Sequence, residues 1–178
     1  MAMSGVTVDD DVISLFRELK GGSSKSEQGH QMKKKFPDQR LKAVAFKFSK
    51  NLEKIEIDED LTLFPSQDVN KVSEIDYDKE REDWQKLSES LPEKHCRYAV
   101  YDLYYNMKSS GLRTKVILVA WAPDKASIKD KMLFASTKDT VKKKLDGIAG
   151  ECQATDYDEL DLPATIATVS RGDAVYDR

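Results

Sequence analysis

The chain has 178 residues, with 29 Lys+Arg against 32 Asp+Glu and a formal net charge of −3 at pH 7. That length fits one domain, and the slightly acidic total is not that of a basic nucleic-acid binder. The longest apolar run, Val116 to Ala122, is far short of the roughly 20 residues of a membrane helix, and no signal-peptide pattern opens the chain.

Asp9, Asp10 and Asp11 precede Val12, Phe16 and Leu19 at i, i+4, i+7. This spacing predicts an amphipathic helix with acids at its positive end, stopped by Gly21-Gly22. Residues 21–40 are rich in Gly, Ser, Gln and Lys and are expected to be a mobile loop. Its run Lys33-Lys34-Lys35 serves solubility or, alternatively, nuclear import. Leu41–Phe48 and the alternating Lys54-Ile55-Glu56-Ile57-Asp58 predict two strands joined by a turn at Ser49-Lys50-Asn51. Tyr77–Leu91 places Trp84, Leu87 and Leu91 on one helical face before Pro92.

Cys96–Leu103 and Lys115–Ala122 read as strands, the second buried on both faces, with Met107–Thr114 as a polar hairpin loop. A long helix follows Pro123-Asp124, with Ile128 and Met132 on one apolar face. Val141, Leu145 and Ile148 continue a stripe further on. The stripe shifts at Ser136-Thr137, where a bend is expected, and Gly147 and Gly150 end the helix. Glu151–Ala154 is a short strand, and Leu162, Ile166 and Val169 mark a last helix with Pro163 in its first turn. Together these elements predict an α/β sandwich, a mixed sheet covered on both faces by helices.

No catalytic constellation is present. His95 and Cys96 are neighbours, and neighbours on a strand point to opposite faces. No nucleotide-binding, zinc-protease or hydrolase motif occurs. Cys96 and Cys152 are too few for a disulfide scaffold, and with only His30 and His95 beside them no zinc set forms. Neither metal nor cofactor is expected. Charge is blocked: residues 25–54 carry nine Lys/Arg against three acids, and residues 56–93 carry four against thirteen. On the long helix Lys125/Lys129 and Lys138/Lys142 stand at i, i+4, and Lys142-Lys143-Lys144 sits near its C-terminus. This is either a solvated face or a surface for an acidic protein or polyanionic head groups.

Three segments carry a resemblance. "MAMSGVTV" (1–8), "LPEKHCRYAVYD" (91–102) and above all "WAPDKASIKDKMLFASTKDTVKKKLDGI" (121–148) resemble the ADF/cofilin family. The resemblance implies an ADF-homology fold, a central mixed five-stranded sheet sandwiched between helices, in a single domain with a flexible N-terminal segment over residues 1–8. It implies a monomer that binds monomeric and filamentous actin, promotes filament disassembly and does no catalysis. It belongs in the cytoplasm at the actin cytoskeleton, with the nucleus as a further compartment. By position, Ser4, Gly5, Val6, Lys129, Lys131, Met132, Ser136 and Lys138 are the implied actin contacts.

Ser4 matches the family's regulatory phosphorylation site, so a kinase and a phosphatase are implied partners. Phosphoinositide head groups are another, at Lys129, Lys131, Lys142, Lys143 and Lys144. The family's second, filament-binding surface maps to Arg113, Lys115 and Arg171. Its charged pair on the C-terminal helix is here Thr168 and Val169. Weaker severing is therefore expected, and two alternatives stand beside the main reading: a monomer binder that severs weakly, or a phosphoinositide-binding adaptor.

Overall fold

The computed structural model describes residues 5–20 and 40–176. Ser4, the run Lys33–Lys35 and all but the last residue of the loop expected over 21–40 lie outside the described residues. The elements in chain order are β1 (Thr7–Val8), α1 (Asp10–Leu19), β2 (Ala43–Phe48), β3 (Lys54–Leu63), α2 (Tyr77–Ser90), β4 (Arg97–Met107) and β5 (Gly111–Trp121). They are followed by α3 (Ile128–Lys144), β6 (Gly150–Ala154), a 3₁₀ turn (Tyr157–Glu159), α4 (Leu162–Val169) and β7 (Ala174–Val175).

The sheet runs β1-β3-β2-β4-β5-β6, with β7 on the outer end of β4. The pairs β1/β3 and β5/β6 are parallel and the others antiparallel. Five strands carry the mixed sheet as expected, and two-residue β1 and β7 extend it to seven. Residues 5–8 correct the expected flexible segment. Val6 and Val8 are buried, and Thr7–Val8 pairs with Lys54–Ile55. A two-residue strand has no periodicity to read, so only tertiary contact reveals it.

Strand alternation divides the core in two. One face gives Val44, Phe46, Tyr98, Val100, Leu118 and Ala120 to a cluster closed by α1 and α3. The other gives Ala45, Ala99, Tyr101, Ile117, Val119 and Trp121 to a cluster closed by α2 and α4. Each helix starts at an oxygen cap that accepts an orphan backbone N–H: Asp9, Asp76, Ser127 and Asp161. The polar loop expected over Met107–Thr114 shrinks to Lys108-Ser109-Ser110, because β4 and β5 pair down to Met107 and Gly111. Gly111 makes that turn at φ +71°, a conformation that a side chain would strain. Gly150 opens β6 rather than ending α3, which stops at Lys144.

One polar cluster is enclosed in the second core. Lys42 and Glu80 are both fully buried and ion-paired, with Lys42 Nζ 2.7 Å from Glu80 Oε2. Lys42 also donates to the Asp102 carbonyl at 2.6 Å and lies 3.1 Å from the centroid of the Tyr104 ring. Glu80 Oε1 accepts from the Tyr101 hydroxyl at 2.7 Å and from the Tyr104 backbone N–H at 3.3 Å. β2 pairs with β4 only as far as Tyr101. The Glu80 carboxylate therefore satisfies a backbone donor that β2 leaves behind, and Tyr77 Oη does the same for the Asn106 N–H at 3.0 Å. Burial pushes the pKa of Lys42 down and that of Glu80 up, and their mutual attraction opposes both shifts.

Candidate functional site

α3 begins at Ser127, whose hydroxyl accepts from the Asp130 N–H at 3.1 Å. Its inward row is Phe134, Thr137 and Val141, continued by Leu145. Phe134 stacks on Tyr98 with ring centroids 4.1 Å apart, and the Tyr98 hydroxyl donates to the Phe134 carbonyl. The outward row is Ile128, Met132 and Ser136. Ile128 is 74% exposed and Met132 68% exposed. The apparent shift of the stripe is thus two rows on opposite sides of one helix, which runs uninterrupted through Ser136-Thr137. Both of those hydroxyls bond back to the Leu133 carbonyl, at 3.0 and 2.7 Å.

Lys129 is exposed beside Ile128, and Lys131 is half-buried with Nζ 3.4 Å from the Asp124 carbonyl. The result is an apolar pair flanked by two cations on a rigid helix. Ile128 belongs to this surface although residue matching did not select it, and its i, i+4 spacing to Met132 was the available signal. β1 lies against α3, which brings the N-terminal segment to this helix. Gly5 is exposed there at φ +72°, with open space where a Cβ would stand. Val6, the next residue, is buried in the first core cluster.

The lysines further along α3 differ from one another. Lys138 and Lys142, one turn apart, both pair with Glu151 on β6; Lys142 Nζ is 3.1 Å from Glu151 Oε2. Lys138 also donates to Gln153 Oε1 at 2.9 Å. Burial opposes ionisation of Glu151, yet the two ammonium groups hold its pKa below the usual range. Lys143 and Lys144 are exposed. Lys129 and Lys143 are fourteen residues apart, about 21 Å along the axis at 1.5 Å per residue. The lysines implied in phosphoinositide binding are therefore spread along the helix, with Lys129 and Lys131 near its start and Lys142, Lys143 and Lys144 at its end.

Arg113 and Lys115 are exposed on β5, in alternation with Ile117 and Val119, and so on the sheet face covered by α4. Arg171 is exposed just past α4 at φ +55°. The next residues return to the β4–β5 hairpin, where the Lys108 N–H donates to the Asp173 carbonyl at 3.1 Å. Thr168 is exposed. Val169 is half-buried, with its Cγ2 only 3.0 Å from where a Cβ on Gly150 would lie.

His95 is exposed and Cys96 buried, and burial pushes the Cys96 thiol up to about 11. A thiol so shifted is a poor nucleophile. Among the described residues no group of three or more His, Cys, Asp or Glu could hold a metal ion.

A mixed sheet between two helical layers, with one capped helix presenting an apolar pair between lysines, defines an ADF-homology domain built for protein binding. The chain belongs to the family of cofilin/tropomyosin-type actin-binding proteins, which matches it over residues 5–170. It is 34% identical to a cofilin of Gibberella zeae, over 97% of this chain and 98% of that one. It is 33% identical to a cofilin of Schizosaccharomyces pombe, over 96% and 99%. Among solved structures, a cofilin of Streptomyces griseoflavus is 33% identical and superposes with a TM-score of 0.63, covering 94% of this chain and 99% of that one.

Proposed function

We propose that this protein binds monomeric and filamentous actin through the outward row of α3 and the adjoining N-terminal segment, and that it promotes filament disassembly. The observation that carries the reading is the exposure of Ile128 and Met132, 74% and 68%, beside Lys129 and Lys131. Two large apolar side chains held in water on a rigid helix are anchors for a partner, and flanking cations suit an acidic one. Gly5, Ser136 and Lys138 line the rest of this contact. Arg113, Lys115 and Arg171 form the second, filament-side contact, with Thr168 and Val169 supplying no charge to it. Severing is accordingly weaker than in relatives with a charged pair there.

Phosphorylation of Ser4 by a kinase, reversed by a phosphatase, would add about −1.5 to −2 charge to a segment followed by Asp9-Asp10-Asp11 and so oppose an acidic partner. Phosphoinositide head groups compete with actin at Lys129 and Lys131 and bind separately at Lys142, Lys143 and Lys144. The protein acts as a monomer in the cytoplasm at the actin cytoskeleton, with the nucleus as a further compartment.

The test is co-sedimentation with filaments and titration of fluorescent actin monomers, using the Lys129→Ala/Lys131→Ala double variant and the pair Ser4→Glu and Ser4→Ala. The double variant should lose binding while its unfolding curve stays within about 0.5 kcal/mol of the parent. Ser4→Glu should weaken binding and Ser4→Ala should not. Undiminished pelleting by the folded double variant refutes the assigned surface.

A further inference from the structure

The lysines towards the end of α3 have a built-in counter-charge. Lys138 and Lys142 stand at i, i+4 on α3 and present one row to β6. Glu151 and Gln153, two apart on β6, present a row of acceptors in return. The Glu151 side chain is only 21% exposed, so this pair of contacts is screened less than a surface ion pair. Beside it lies a cleft of about 330 Å³, lined among others by Lys142, Lys143, Gly147, Ile148 and Glu151. That volume is within the roughly 300–1,000 Å³ of small-ligand clefts. Glu151 thus stands in the wall of a cleft that also carries Lys142, Lys143 and Asp146, pairing with Lys142 there and with Lys138 beside it.

We propose that Glu151 sets how strongly this cleft binds phosphoinositide head groups in a membrane, acting as an internal competitor that withholds Lys138 and Lys142 from the lipid phosphates. The inference rests on the phosphoinositide reading above and names the residue that limits it. A polyanionic head group must first draw the two ammonium groups off Glu151, which leaves a half-buried carboxylate without its partners. That cost falls only on the cleft at the C-terminal end of α3, and Lys129 and Lys131 do not share it. Weak lipid binding at this end of the helix is therefore a consequence of β6.

The experiment is flotation of the full chain with phosphatidylcholine vesicles containing phosphatidylinositol bisphosphate, beside vesicles of phosphatidylcholine alone. Glu151→Gln keeps the size of the side chain and one acceptor oxygen and removes its charge. With each lysine near an anionic surface contributing about a fivefold factor in affinity, release of one or both should raise binding about 5- to 25-fold. The rise should shrink in salt. It should vanish when Lys138→Ala and Lys142→Ala are added, and Glu151→Asp should restore weak binding.

Measurable parent binding that Glu151→Gln leaves unchanged overturns this inference alone. Absence of binding by parent and variant overturns it together with the phosphoinositide reading. An equal gain on phosphatidylcholine alone, or a gain that persists without the two lysines, also overturns it, since either would report exposed apolar surface rather than released charge. A gain with soluble inositol trisphosphate but none with vesicles overturns the membrane assignment.

Discussion

Replacing Ile128 and Met132 with alanine separates binding from folding more cleanly than any other change in α3. Full burial of a Met or Ile side chain contributes about 1.5–3 kcal/mol. Met132 is 68% and Ile128 74% exposed, so between two-thirds and three-quarters of that remains to be gained from a partner. Each truncation should then weaken actin binding by roughly 1–2 kcal/mol, and the double variant by roughly 2–4 kcal/mol. At 1.4 kcal/mol per tenfold change, the dissociation constant rises about 30- to 700-fold. Folding should be nearly untouched, because neither side chain is packed and alanine has the best helix propensity.

Phe134→Ala is the control. It lies on the inward row at 3% exposure, stacked on Tyr98, and its loss should cost about 3–5 kcal/mol of stability. Actin-monomer titration and urea unfolding, run on the same preparations, read the two quantities. A folded Ile128→Ala/Met132→Ala variant that binds within about threefold of the parent would mean that these side chains are exposed for some other reason, and the assigned surface would be wrong.

Three further outcomes follow from the packing. Glu80→Ala leaves the fully buried Lys42 without its ion-pair partner and should cost about 3–5 kcal/mol in urea unfolding, whereas Lys42→Met with Glu80→Leu should cost far less. Burial raises the Asp102 carboxyl to about 6, partly offset by Arg40 at 3.1 Å. Because the folded state then holds a proton that the unfolded state has lost, Asp102 should favour folding increasingly as pH falls from about 7 towards 4. The stability of the parent relative to Asp102→Asn should rise in that window by up to about 1.4 kcal/mol per pH unit, and a flat difference would contradict it. Thr168→Glu should raise severing frequency in single-filament imaging, while Val169→Lys should lower the unfolding midpoint because Val169 packs on the second core beside Gly150.

Elements with a strong period and a clear cap were legible in the sequence. The span Tyr77–Leu91 is met by α2 at Tyr77–Ser90, and Leu162 to Val169 by α4. The strand ends were not, for separate reasons. β3 continues past Asp58, where the predicted alternation ends, through Glu59 and Asp60 to Leu63. Beyond the two residues paired with β1, no other described strand pairs with its outer edge, and Glu59 and Asp60 are exposed there. β4 extends to Met107 because β5 answers every residue of it.

The site was half legible. Lys129, Lys131 and Met132 fall on α3, a helix that the spacing of Ile128 and Met132 predicts. Matching could not tell that Val6 turns inward or that Lys138 is held by Glu151, thirteen residues further on and on another element. The Lys42–Glu80 pair, thirty-eight residues apart, has no local signature at all.

The blocks of charge look different once the fold assigns them. The acidic stretch over 56–93 is not one acidic face. Asp58 pairs with Arg97 at 2.9 Å, Glu80 neutralises Lys42, Asp83 accepts from the Ser66 N–H at 3.0 Å, and Asp76 caps α2. Three cations of the earlier basic stretch are used in the same way: Arg40 on Asp102, Lys42 on Glu80 and Lys54 on Asp9. Charges that hold the fold together cannot also steer a partner, because each is already matched at short range. Among the described residues, exposed cations stand on α3 (Lys129, Lys143 and Lys144), on β5 (Arg113 and Lys115) and after α4 (Arg171), and others, Arg17, Lys50, Lys79 and Lys94, are scattered elsewhere. A total of −3 therefore coexists with local groups of exposed cations on α3 and at the β4–β5 hairpin.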